Sequence, residues 1–170
     1  MKVEKMKVDC LIGFSFGLRG NMGGPVNEKL AKYIMSMMRG RPLILQWEIA
    51  EYIDPQKAVI AKVIKNHRVE GKYLDTYEVA VQAYEVMKQN GWKEYELAAH
   101  SAHAFRCAKV MEKLGAHLSC AITIDDYDIL SSQIWTKHPL LFHPYNRLAL
   151  FIYERRGWID GSPLFIPGVS

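Results

Sequence analysis

The sequence contains few cysteines, and their positions exclude two classes of small protein. Three are present among 170 residues, namely Cys10, Cys107 and Cys120. An odd number at such wide spacing provides neither a disulfide framework nor the Cys-x-x-Cys pairs of a zinc site. Because each lies among apolar residues, we expect three buried thiols in a protein of a reducing compartment.

The sequence also lacks long apolar runs and segments of a single charge. No segment approaches the roughly 18 apolar residues that span a bilayer. Three lysines among the first seven residues precede the apolar segment 10–16, but Glu4 and Asp9 interrupt the positive charge. No small-x-small cleavage pattern follows, so a first strand is favoured over a signal peptide. The net charge of +4 comes from 22 Lys and Arg against 18 Asp and Glu, spread along the chain. We therefore expect a cytoplasmic protein whose partner is neither a membrane nor a nucleic acid.

What the sequence does contain is an alternation of helical and strand patterns. Four amphipathic segments each end before a glycine, which can close a helix in the left-handed conformation, and each has Lys or Arg in its last turn. The predicted helices are 27–39, 76–90, 102–114 and 144–156, and the predicted strands are 8–16, 42–46, 95–99 and 118–124. The strand segments lack strict polar alternation, which is typical of strands with helices on both faces.

Segment 47–75 and the end of the chain are less regular. We predict helices over 47–53 and 56–66, a short strand near 67–70, and a surface extension after Trp158. Together the patterns predict a single α/β domain over residues 1–170, a three-layer sandwich with a mainly parallel sheet of four to five strands and helices on both faces. Ligands of such sheets bind at the carboxyl ends of the strands.

Two histidines and an arginine follow the predicted strand 95–99. His100 and Ser101 lie at the turn, and His103 and Arg106 are three residues apart, so they share one face of the following helix. A guanidinium, imidazoles and the positive end of a helix dipole together suit an oxyanion. The alternative is that His103 and Arg106 are ordinary surface residues and Ser101 is a helix N-cap. We predict no metal site, because no acidic third ligand lies at a fixed spacing.

A glycine-rich segment, 17–25, connects the first predicted strand to the first predicted helix. Gly17 and Gly20 allow backbone amides to approach a ligand, and Arg19 adds a positive charge. The segment is not a P-loop, because no Gly-Lys-Ser/Thr follows, and it lacks the first glycine of a dinucleotide-binding fingerprint. It is equally consistent with a ligand loop and with a flexible connection.

Three further polar groups have both a structural and a functional interpretation. Asp75 and Glu78 form a capping box at the start of the helix 76–90, yet Thr76 and Glu78 could face the same crevice. Trp47 and Glu48 end the second strand and could touch a ligand. The acidic residues after the last strand could bind a ribose or a metal but are more often a solvated loop; they are Asp125, Asp126 and Asp128.

In chain order these motifs resemble those of the YdcF-like family, the group that includes the SanA and ElyC proteins. The resemblance spans about residues 8–158, and its most specific part is Thr76-x-Glu78 followed by Ser101-x-His103-x-x-Arg106. The other matching pieces are the Gly17-Leu18-Arg19-Gly20 loop, Pro25 and Asn27 before Leu30-Ala31, and a final helix from Asn146-Arg147-Leu148-Ala149 to Gly157-Trp158.

The resemblance implies a Rossmann-like fold with one polar pocket and a nucleotide or S-adenosylmethionine-like ligand. The family has no settled activity, and some relatives are linked to cell-envelope processes. The implied pocket residues are Gly17, Arg19, Thr76, Glu78, His103 and Arg106. This chain departs from the family pattern in three ways: Val79 replaces an asparagine, Gln46-Trp47-Glu48 replaces a Gly-Gly, and no membrane anchor like that of several relatives is predicted.

Two main hypotheses for function follow. In the first, the chain binds a small anionic molecule, nucleotide-like or S-adenosylmethionine-like, between the glycine-rich segment and the corner 100–106. Arg106 and Arg19 pair with the anion, His103 donates or shuttles a proton, and Glu78 accepts from the ligand or orients His103. In the alternative, a phosphoester hydrolase or transferase uses His103 and Glu78 as an acid–base pair. A protein-interaction module is a third hypothesis.

Overall fold

The structure, a computed structural model, describes residues 8–161, and this part of the chain forms one five-stranded sheet. All paired strands are parallel, in the order β3-β2-β1-β4-β5. The strands are β1 (Cys10–Gly13), β2 (Leu43–Gln46), β3 (Ile60–Ile64), β4 (Glu94–His100) and β5 (His117–Ile124). The α-helices are α1 (Gly24–Met37), α2 (Trp47–Ala50), α3 (Thr76–Asn90), α4 (Ser101–Leu114) and α5 (Pro139–Arg155), and a 3₁₀ turn covers Ile134–Thr136.

The helices cover both faces of the sheet. Ile12 of β1 and Leu97 of β4 belong to the apolar cluster that includes α3 and α4, whereas Leu11 belongs to the cluster that includes α1 and α2. Successive residues of one strand are therefore buried on opposite faces, which explains why β1 and β2 are apolar throughout. The predicted three-layer α/β sandwich with a parallel sheet is confirmed.

The strand order reverses direction between β1 and β4. From β1 the chain proceeds outward through β2 to β3, then crosses back to β4 on the other side of β1 and continues to β5. The loops that leave β1 and β4 therefore diverge to opposite faces and open a crevice at the carboxyl ends of these strands, where ligands of doubly wound sheets bind. The corner 100–106 and the glycine-rich segment both start at this edge.

The predicted helix ends are confirmed most closely where a cap specifies them. α3 covers the predicted range, since the Asp75 side chain accepts from the Glu78 amide at 2.9 Å and Gly91 ends the helix with φ of 70°. Gly115, with φ of 105°, ends α4 in the same way. α5 begins at Pro139 instead of Pro144, because the His138 side chain caps the helix there by accepting from the Leu140 amide at 3.2 Å.

Two predictions for the middle of the chain are wrong. Segment 56–66 is not a helix, because residues 60–64 pair with β2 as an edge strand. The predicted strand near 67–70 is a turn. Ile60, Val63 and Ile64 are β-branched, a composition that favours strands and outweighs a weak helical period. The predicted surface extension after Trp158 falls largely outside the described residues, as do the three N-terminal lysines. No helix in residues 8–161 is long and apolar enough to cross a membrane.

Gly23 sets the distance between the glycine-rich segment and α2. Its φ is −62°, which any residue adopts, but a Cβ atom here would overlap the carbonyl oxygen of Glu48. Its amide donates to the Glu51 carboxylate. Glycine is required by this close approach of two backbones, and the contact holds Glu48 near the edge of the sheet.

The alanine variant Gly23→Ala should lower the free energy of unfolding by about 2 kcal/mol or more, because a backbone oxygen must move. The control Gly20→Ala has a φ of 58° and open space around its Cβ, so left-handed strain alone should cost about 1 kcal/mol. Urea unfolding of both variants measures the difference. An equal decrease in the free energy of unfolding in both variants would show that the close approach of Gly23 to Glu48 does not require a glycine.

Candidate functional site

A cavity of about 220 Å³ lies at the carboxyl ends of β1 and β2. It is lined by segments 15–18 and 46–48, by the starts of α3 and α4, and by residues between 133 and 153. Of the predicted site residues, Gly17, Thr76, His103 and Arg106 line it, together with Trp47 and Glu48. Elements far apart in sequence therefore meet at the edge of the sheet where a ligand was expected.

Arg106 is a buried cation whose guanidinium has unsatisfied donors. The residue is 4% exposed, and its Nε and Nη1 atoms have no hydrogen-bond partner within residues 8–161. The guanidinium carbon lies 5.6 Å from the ring centroids of both Tyr145 and Tyr153. Aromatic faces offset part of the desolvation of a cation, but a buried guanidinium with free donors still lacks the anion that its geometry suits.

His103 lies one turn before Arg106 on α4 and is neutral. Its Nε2 atom shares a hydrogen bond of 2.9 Å with the Thr76 hydroxyl, and its buried Nδ1 atom has no partner among the described residues. Burial, aided by the charge of Arg106 and by His100, lowers the pKa of His103 well below its ordinary value. The imidazole therefore keeps one nitrogen without a hydrogen bond and carries no charge at neutral pH.

Glu78 does not contact His103 and does not line the cavity, so the predicted acid–base pair is not formed. Its carboxylate accepts from Arg68 Nε at 2.7 Å, from the Arg68 amide at 3.1 Å and from Gln82 at 2.9 Å. Burial alone would raise the pKa of Glu78, but these hydrogen bonds outweigh it and lower the pKa to about 2. A carboxylate that is ionised and satisfied in this way is a structural anion that ties segment 66–68 to α3.

Arg19 and Gly20 also have structural partners instead of facing the cavity. Arg19 forms a two-point ion pair with Asp128, at 2.6 and 2.7 Å. The Gly20 amide donates to the Ser132 hydroxyl at 2.6 Å. The glycine-rich segment is thus fastened to the loop after β5, and the prediction that Arg19 pairs with a bound anion has a competing partner in Asp128.

Gly17 is the member of this segment that reaches the cavity. Its φ is 77°, and a Cβ would approach the hydroxyls of Thr136 and Ser131 to 3.1 and 3.2 Å. The buried Asn27 side chain accepts from the Phe16 amide at 2.9 Å and donates to the Gly17 carbonyl at 3.0 Å. These contacts fix the backbone that passes from β1 to the cavity.

His100 and Ser101 shape the corner from outside the cavity. His100, not Ser101, is the N-cap of α4, since its Nδ1 atom accepts from the Ala102 amide at 3.2 Å. Its ring stacks on Phe16 with centroids 3.9 Å apart. The Ser101 hydroxyl donates to Asp125. Both residues were predicted ligand contacts, and the structure gives each an internal partner.

Each of the three acidic residues after β5 has a side-chain partner, and Asp125 and Asp126 are also exposed to solvent. Asp125 pairs with Ser101, Asp126 with Lys29 at 2.6 Å, and Asp128 with Arg19. No group of three metal-ligating side chains occurs in the described residues.

Sequence reasoning underestimated Glu48 and missed the aromatic residues that close the cavity. Glu48 is 8% exposed, and its Oε2 atom has no partner within the described chain. Burial raises the pKa of Glu48 to about 7. Trp135 and Tyr145 stack with centroids 5.0 Å apart and reach the cavity from the loop after β5 and from α5. Their only signal in the sequence was an aromatic-rich stretch, although Tyr145 directly precedes the matching segment that begins at Asn146.

Comparisons of the chain with protein-family models, with curated proteins and with solved structures gave no match. The geometry of the cavity is therefore the basis for assigning a function.

The buried His100 should make the fold sensitive to acid. Burial lowers the pKa of His100 to about 4 from an ordinary value of 6.5, so the unfolded chain takes up a proton that the folded chain excludes. Stability should be fully present above pH 6.5 and decrease as the pH falls towards 4. The variant His100→Asn keeps a capping oxygen. Its free energy of unfolding should decrease between pH 7 and pH 4.5 by about 2 kcal/mol less than that of the parent protein.

Urea unfolding at the two pH values measures this effect. Loss of the stacking contact with Phe16 lowers the stability of the variant at both values, so the pH-dependent difference is the informative quantity. An identical acid sensitivity in both proteins would show that His100 is not kept neutral by burial.

Proposed function

We propose that this protein binds a small anionic molecule in the cavity at the carboxyl edge of the sheet, with Arg106 as the residue that pairs with the anion. The observation that carries the proposal is the buried guanidinium, 4% exposed, with two donor nitrogens that have no partner in residues 8–161. A structural arginine of this depth is normally paired, because an isolated buried charge is costly. A bound anion supplies the missing partner.

The rest of the cavity supports the same role. His103 lines the cavity beside Arg106, and its buried Nδ1 atom has no partner among residues 8–161. Thr76 is the first residue of α3, whose amino end favours negative charge. Trp47, Tyr73 and Trp135 also line the cavity and offer flat apolar surfaces that suit the base of a nucleotide-like or S-adenosylmethionine-like ligand.

A relationship to the YdcF-like family is part of the proposal. Of the residues that carry the resemblance, Gly17, Thr76, His103 and Arg106 converge on the cavity, while Arg19 and Glu78 lie in neighbouring ion pairs. A cytoplasmic location is also proposed, on the ground that the three cysteines are free thiols. The hydrolase or transferase hypothesis gains no support from the geometry, because Glu78 is held by Arg68.

Replacement of Arg106 by methionine should separate binding from stability. We expect affinity for a bound anion to fall by about 10- to 100-fold, since hydrogen bonds to a charged group contribute about 1.5–3 kcal/mol. The free energy of unfolding of the unliganded variant should be unchanged or higher, because an unpaired buried charge is removed. Calorimetry with AMP, ADP, S-adenosylmethionine and S-adenosylhomocysteine, together with urea unfolding, measures both quantities.

Arg68→Met is the matched control, since it removes a guanidinium that already has the partner Glu78 and does not line the cavity. Its affinity for the same compounds should stay within about twofold of the parent protein, while its stability decreases. If Arg106→Met binds as tightly as the parent, or if none of the compounds binds, an anion site at Arg106 is contradicted.

A further inference from the structure

The cavity has a second charged residue, Glu48, for which the sequence indicated contact with a ligand but no chemical role. Glu48 is the second residue of α2, directly after β2, and Gly23 holds its backbone against the glycine-rich segment. Its side chain is more than nine-tenths buried, and Oε2 has no hydrogen-bond partner among residues 8–161. The Ser15 hydroxyl and the backbone amide of Glu48 are donors beside the carboxyl group, but they leave this buried Oε2 atom unsatisfied.

Glu48 and Arg106 face the same space but do not pair with each other. Both line the cavity, and the Oε2 atom of one and the Nε and Nη1 atoms of the other all lack a partner. Tyr73 lines the same cavity, and its hydroxyl accepts from Gln133 at 3.2 Å.

The charges that line the cavity balance. Its ionisable side chains include two acids, Glu48 and Asp75, and two bases, Lys65 and Arg106, while His103 is kept neutral. A ligand with several negative charges would satisfy Arg106 but would place unfavourable charge beside Glu48. A ligand with one anionic and one cationic group would satisfy both residues.

We propose that Glu48 binds the ammonium group of a zwitterionic ligand whose anionic group is held by Arg106, so that the cavity is specific for molecules of the aminocarboxylate class. The inference rests on the proposed function and narrows it: an anion at Arg106 is necessary, and a hydrogen-bond donor with positive charge at Glu48 sets the specificity. Glu48 stands where the resembling family has Gly-Gly, so this specificity belongs to the present chain.

Binding of an ammonium group at Glu48 should be coupled to the release of protons. In the unliganded protein burial raises the pKa of Glu48 to about 7, and an ammonium group at Oε2 must lower it again. Binding near pH 7 should therefore release up to about half a proton per ligand, and affinity should increase as the pH rises through this range. The charged and titratable groups around Glu48 are Glu51 after α2, Lys65 after β3, Tyr73 and Asp75 before α3, and His103 and Arg106 on α4.

The experiment is calorimetry of the full chain with S-adenosylhomocysteine, which carries an aminocarboxylate, and with AMP, which carries an anion and no ammonium. We expect S-adenosylhomocysteine to bind at least tenfold more tightly. Its titration in buffers of different ionisation enthalpy should show proton release. Glu48→Gln should weaken the binding of S-adenosylhomocysteine by about 10-fold or more and should not weaken the binding of AMP, because the variant removes a negative charge near the anion.

Glu51→Gln is the control for a general charge effect, because Glu51 is a nearby carboxylate that does not line the cavity. It should leave both affinities within twofold. Three results would overturn the inference: tighter binding of AMP than of S-adenosylhomocysteine by the parent protein, proton uptake when S-adenosylhomocysteine binds, or equal affinity of Glu48→Gln and the parent for S-adenosylhomocysteine. The anion site would still stand in these cases if Arg106→Met weakened the binding of AMP. Absence of binding by both compounds would contradict the proposed function and this inference together.

Discussion

The cavity depends on one interaction between distant parts of the chain, the fastening of the glycine-rich segment to the loop after β5. Arg19 and Asp128 form its ionic part, and the hydroxyls of Ser131 and Ser132 bond to the backbone of residues 18 and 20. The connection from β5 to α5 is thereby held over the carboxyl edge of the sheet. A crevice that the strand order alone would leave open is converted into a cavity with aromatic residues on one side.

The charged side chains around the cavity fall into two groups: those that are paired with each other, and those that have unsatisfied atoms. Around the cavity, Arg19, Lys29 and Arg68 each have a carboxylate partner at 2.6 to 2.7 Å. Arg106 and Glu48 lie deeper than these residues and have unsatisfied atoms. Exposed ion pairs contribute little to stability, and water can replace them. Buried groups have no such alternative, so the two unsatisfied side chains mark the functional part of the site.

The sequence predicted the layers of the fold well because helix caps and buried strands are local signals. Gly91 and Gly115 ended their helices as expected, and the apolar strands were recognised from composition. It predicted the edge strand β3 poorly, because residues 61–63 are largely exposed and lack the apolar pattern of a covered strand. Motif residues were located at the correct edge of the sheet, but Arg19 and Glu78 could not be distinguished from Arg106, since pairing with Asp128 and Arg68 is a tertiary property.

Arg106 and Glu48, the two residues at the centre of the site, differ in how well the sequence predicts their roles. Arg106 is detectable because histidines and a helix start surround it, and each is informative alone. Glu48 looks like an ordinary surface acid at the start of a short helix. Its importance arises only in the folded chain, where its side chain is buried at the cavity. The role that we propose for Glu48 therefore depends on the burial that the tertiary structure imposes, and not on its own sequence context.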